Sequence, residues 1–139
     1  MRVLLILLLY ASSAFSNVLV ITSPLQNQNK LYRFELQSIF TLNNVSWDDG
    51  TPIIPIFLQF SSETHKRFIT DVLLVNSHSF RRDIESKLIK GNLFNVYVAK
   101  TDSEVLDLLD RIDGSIAYIN ELTVIMADNH EIKIITIID

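Results

Sequence analysis

The chain has 139 residues, 48% of them hydrophobic, no Cys, and a formal net charge of −4. That length suits one domain with a core of its own, and the lack of Cys excludes a disulfide framework and a thiolate metal site. Sixteen acidic residues against 12 Lys and Arg argue against a nucleic-acid surface, which needs clustered cations.

The first element is a leader. Arg2 precedes an apolar run, Val3 to Tyr10, and then the small residues Ala11-Ser12-Ser13-Ala14-Phe15-Ser16. That order predicts a secretory signal peptide over residues 1–16, cut after Ser16, with a cut after Ala14 as second choice. The apolar run is shorter than the about 20 residues a bilayer span needs, so an uncleaved anchor is the weaker reading. Residues 17–139 are left as one extracytoplasmic domain with no further membrane span.

Asn17 to Thr22 is β-rich and apolar, a buried first strand ended by Ser23-Pro24. Lys30 to Phe40 predicts a helix with Leu31, Phe34, Leu36, Ile39 and Phe40 on its apolar face. Trp47-Asp48-Asp49-Gly50-Thr51 is a turn, because Gly takes positive φ without strain. Pro52 to Phe60 is the second strand. Pro55 inside it removes a ladder donor, so the strand lies at an edge or starts at Ile56. Ser61-Ser62 opens a helix to about Leu74, and Ser79 caps another from Phe80 to Lys90, stopped at Gly91. Asn95 to Ala99 is the third strand. Thr101-Asp102-Ser103-Glu104 is a capping box before a helix carrying Val105, Leu106, Leu108, Leu109 and Ile112. Ser115 to Ile119 is the fourth strand, Val124-Ile125-Met126 a short one, and Glu131 to Ile138 the last. Strands alternating with helices imply an α/β domain whose sheet is mixed or mostly parallel.

Few residues carry chemistry. His65, His78 and His130 have no metal-binding spacing. Three isolated Gly cannot make a phosphate loop, and no Ser lies in a nucleophile elbow. Asp48 and Asp49 are turn formers first. Asp102, Glu104, Asp107 and Asp110 suit a solvated helix face. Asn44-Val45-Ser46 matches a glycosylation sequon. No catalytic set, metal or cofactor is expected, and an enzyme is the remotest reading. Ser61, Ser62 and Thr64 lie where a strand feeds a helix. The free N–H groups of a helix start make an anion site, and three hydroxyls would add donors. Plain capping by Ser62 explains the same residues.

Three stretches carry a resemblance. Ile39-Phe40 with Trp47-Asp48-Asp49-Gly50-Thr51-Pro52-Ile53-Ile54-Pro55-Ile56 is similar to the "IF-x-G-x-x-x-x-W-x-D-G … I-x-P-V" stretch of the periplasmic phosphate-binding proteins of ABC transporters. Ser62-x-Thr64 with Phe68 resembles their phosphate-holding "S-G-T … F", and Asp113 to Ile119 their "P-G-A-I-G-Y-V" strand. The order is the family's, and nearly all of residues 17–139 is covered. The resemblance implies a single small periplasmic-binding-protein-like domain of type II, with a mixed, mostly parallel sheet flanked by helices. It also implies a periplasmic location and a second lobe that is rudimentary or absent. Leu42 and Glu63 stand where the family has Gly, and His65 where short versions carry Arg. Glu63 would repel an anion, leaving hydroxyls, backbone amides and a protonated His65 as donors.

Two functions follow. The first is a periplasmic solute-binding domain that takes a small ligand, phosphate or another oxyanion, for uptake or sensing, uptake needing a membrane permease. Its ligand-binding residues are Thr22, Ser23, Ser61, Ser62, Thr64 and His65. Thr22 and Ser23 enter because the C-terminal ends of strands in an α/β sheet face one crevice. The second keeps the fold but loses the ligand site, and docks on a membrane receptor such as a sensor kinase or a diguanylate cyclase.

Overall fold

The computed structural model describes residues 17–90, 96–127 and 130–139. The expected leader, the helix stop at Gly91 and the strand start at Asn95 lie outside the described residues.

Among the described residues, seven strands and five helices follow in chain order: β1 (Val18–Thr22), β2 (Lys30–Tyr32), α1 (Arg33–Phe40), β3 (Ile54–Leu58), α2 (Glu63–Arg67), α3 (Ser77–Ile89), β4 (Tyr97–Ala99), α4 (Asp102–Arg111), β5 (Ser115–Asn120), α5 (Glu121–Met126), β6 (Lys133–Ile134) and β7 (Thr136–Ile138). A π-helical turn, Phe68–Val72, continues α2. The main sheet has the order β4-β3-β5-β1-β6, and β2 pairs with β7 beside it. β3 is parallel to β4 and β5, whereas β1 is antiparallel to both β5 and β6. Four strands therefore point one way and β1 the other. This is the expected mixed, mostly parallel α/β sheet.

Every residue of β3 is buried, as are Ser115 to Ile119 of β5. Such continuous apolar strands belong in a sheet covered on both faces. α2 packs on β3 and β5, and α4 packs on β3, β4 and β5. Phe40 is the aromatic hub, meeting Phe57, Phe68 and Tyr118 edge-on, while Phe68 and Tyr118 stack at 3.8 Å.

Several expectations are corrected. β3 is a central strand despite Pro55. Ile54 N–H donates to Gly114 O on the β5 side, so the donor Pro55 lacks would face β4. β4 pairs only from Ile56 onward, and no ladder bond is lost. Residues 30–32 form a strand rather than the start of α1, and Phe34 is exposed. Asn76, not Ser79, caps α3: its Oδ1 accepts from His78 and Ser79 N–H. Val124-Ile125-Met126 closes helix α5. The final strand breaks at the buried Ile135, its first part pairing with β1 and its second with β2.

Two of the motifs behind the resemblance meet physically. Trp47 Nε1–H donates to Gly114 O at 2.9 Å, tying the turn before β3 to the start of β5. Gly114 has φ +76°, and a Cβ there would lie 2.3 Å from Pro52 O. The Trp47 and Gly114 motifs are thus architectural.

Candidate functional site

The direction of β1 decides which predicted residues share a site. Thr22 pairs with Ile116, and Val18 with Asn120. Pro55 of β3 also pairs with Ile116. Thr22 and Ser23 therefore lie at the start of β3 and β5, with Ser23 N–H on Ser115 O at 2.9 Å. Ser61, Ser62, Thr64 and His65 follow the opposite end of β3. From Pro55 to Leu58 alone a strand rises ~10 Å. The expectation that the end of β1 opens on the same crevice is corrected, because β1 runs antiparallel. Thr22 Oγ1 and Ser23 Oγ are buried and without a hydrogen-bond partner, far from that crevice.

The other four residues do come together, at the edge where β3 and β5 end. In open α/β sheets ligands bind outside the carboxyl ends of the parallel strands. Ser62 is the N-cap of α2, its Oγ accepting His65 N–H at 3.0 Å. Its own hydroxyl proton stays free to donate. Ser61 is exposed, and Thr64 half-buried. Glu63 is exposed beside them, 3.4 Å from Lys66 Nζ.

His65 is the fixed point of this edge. Its Nδ1 lies 2.5 Å from the Tyr118 hydroxyl, which also accepts Leu58 N–H at 3.0 Å. The Tyr118 hydroxyl is buried, and the assignment that gives its proton a partner has O–H donating to Nδ1, which puts the proton of neutral His65 on Nε2. Burial pushes His65 down from 6.5 to about 4, and pushes the Tyr118 hydroxyl up. The expectation of a protonated His65 is therefore corrected: at neutral pH it is an uncharged donor. Phe60 stacks on its ring at 4.6 Å.

The positive charge that sequence reasoning sought at His65 stands beside it. A cleft of about 250 Å³ is lined by Phe60, His65, Lys66, Ser77, His78 and Arg81. Lys66 follows His65 on α2, and Arg81 lies about one turn into α3. No linear motif joins them, since only the fold brings the two helix starts together. His130 bonds Asp110 Oδ2 through Nδ1 at 2.6 Å. Among the described residues, no cluster of three or more His, Asp or Glu could hold a metal ion.

The architecture matches solved structures. PstS from Borrelia burgdorferi superposes with a TM-score of 0.69 at 18% identity, covering 88% of this chain and 47% of that one. An ABC-type phosphate transport receptor from Vibrio cholerae superposes at 0.65 with 14% identity, covering 88% and 46%. This chain shares its fold with phosphate-transport binding proteins. At these identities the likeness shows the fold alone, and the chain spans less than half the length of either structure. No protein-family model and no curated protein sequence matches it. Within the phosphate-binding-protein fold, the described residues hold no helix long and apolar enough to cross a membrane.

Proposed function

We propose that this chain is a solute-binding domain working outside the cytoplasm, in the periplasm, after a signal peptide over residues 1–16 is cut following Ser16. It takes a small oxyanion, with phosphate first, for uptake through a membrane permease. Ser61, Ser62, Thr64 and His65 are the proposed ligand residues. Thr22 and Ser23, at the far end of the sheet, are not among them. The observation that carries the reading is the strand order, which sets the start of α2 at the carboxyl edge of β3 and β5 in a fold shared with phosphate-transport proteins. The donors at that edge are hydroxyls, backbone amides and His65 Nε2–H, all uncharged, and Glu63 opposes an anion. The fit is therefore to weak, exchanging capture rather than tight storage. No observation favours docking on a sensory receptor.

Calorimetry of the purified protein with phosphate and sulfate tests this. Thr64→Ala is expected to weaken binding about 2–10-fold, the worth of one hydrogen bond, and Glu63→Gly to strengthen it. Absence of saturable heat at about millimolar phosphate and sulfate would overturn the proposal.

A further inference from the structure

The cleft between α2 and α3 has a character of its own. Its lining residues include Lys66 and Arg81, two imidazoles and the Ser77 hydroxyl, and no carboxylate. This stands out on a chain whose net charge is −4. Lys66 and Arg81 do have partners, Glu63 at 3.4 Å and Glu85 at 2.9 Å. Both are solvent-exposed pairs within one helix, and such pairs hold their cations by only about 0–1 kcal/mol. An anion entering the cleft can displace them. The guanidinium of Arg81 offers a planar fork to two oxygens, and Lys66 a compact charge to a third. His65 adds a donor whose direction is locked, because Tyr118 holds its other nitrogen at 2.5 Å.

The apolar wall matters equally. Phe60 lines the cleft and is backed by the stacked His65 ring at 4.6 Å. A lone tetrahedral anion has no use for an aromatic wall. The volume of about 250 Å³ approaches the ~300 Å³ at which sites for small organic ligands begin. Two fixed positive charges match a phosphomonoester, which carries about −1.5 to −2 at neutral pH, better than a monoanionic carboxylate.

We propose that the cleft between α2 and α3 binds a small organic phosphate, its phosphate group between Lys66 and Arg81 and its apolar part against Phe60. The site shares His65 with the oxyanion edge but none of Ser61, Ser62 or Thr64, and it stands whether or not that edge binds free phosphate.

Phenyl phosphate and inorganic phosphate, titrated separately into the purified protein and followed by amide chemical shifts, test this. Phenyl phosphate is expected to shift Phe60, Lys66, Ser77 and Arg81, and to bind at least about tenfold more tightly than inorganic phosphate at this cleft. Lys66→Gln with Arg81→Gln is expected to abolish that binding. Both side chains are exposed, so the fold is kept, and far-ultraviolet circular dichroism checks it. Phe60→Leu is expected to narrow the preference for the aryl ester. Phenyl phosphate that fails to saturate, or whose affinity survives the double substitution, would overturn the proposal. If inorganic phosphate alone binds, and Thr64→Ala weakens it, the cleft proposal fails while the oxyanion edge stands. If only phenyl phosphate binds, and only the double substitution removes it, the cleft stands and the oxyanion edge fails.

Discussion

His65 shows how far one buried side chain departs from its sequence context. Burial holds it near 4, whereas in the unfolded chain it titrates near 6.5. Above pH 6.5 it is neutral in both states, and its contribution to stability is intact. As pH falls, the unfolded chain takes a proton that the native state refuses, so stability is lost down through about pH 4. The full effect is on the order of 3 kcal/mol. Urea melts between pH 7 and 5 are expected to show the decline, and His65→Leu to flatten it. A wild-type profile as flat as the variant's would show that His65 is solvated. Gly114 is a second decisive residue. Its φ of +76° and the 2.3 Å approach of any Cβ to Pro52 O leave no room for a side chain. Gly114→Ala is expected to cost more than about 2 kcal/mol in the same melts, and a loss below about 0.5 kcal/mol would contradict the packing. Leu42 presents the opposite case. It takes φ 62° after α1, with Leu42 N–H on Ile39 O and Asn43 N–H on Ser38 O. That is the Schellman stop, where Gly is favoured. Leu is held there because its side chain is buried. Leu42 therefore takes the left-handed turn that usually calls for Gly.

At the scale of elements, local signals were legible and directions were not. Thr101 and Glu104 read as a helix start, and Thr101 Oγ1 does accept Glu104 N–H, while the Glu104 carboxylate accepts Lys100 N–H. Capping is a contact between near neighbours, so the sequence contains all of it. The start of α3 differs from the sequence expectation because Asn76 and Ser79 are both good caps three residues apart. Asn76→Ala is expected to cost about 1 kcal/mol, and Ser79→Ala less than about 0.5 kcal/mol, in thermal or urea unfolding. Equal losses would contradict the observed cap. Val124-Ile125-Met126 is a short apolar run, and such runs do not distinguish a strand from a helix. There Asn120 settles the matter, its Oδ1 accepting Leu122 N–H to open α5. The antiparallel course of β1 had no local signal at all. Asn17 to Thr22 reads equally well in either direction, yet that direction separates Thr22 and Ser23 from Ser62.

At the scale of the molecule, the fold was legible through Trp47 and Gly114, residues that sequence reading met in separate motifs and that the structure joins by one hydrogen bond. The site was legible only in part. Ser62 and Thr64 stand at the strand end where expected, but Lys66 and Arg81 are brought together by α2 and α3 and share no motif. The central claim is that the carboxyl edge of β3 and β5 is the ligand-binding edge. Backbone amide shifts recorded while inorganic phosphate is added to the purified protein test it most directly. The account predicts saturable shifts at Ser61, Ser62, Glu63, Thr64 and His65, with Thr22 and Ser23 unmoved. Shifts centred on Thr22 and Ser23, or none at the start of α2, would contradict it.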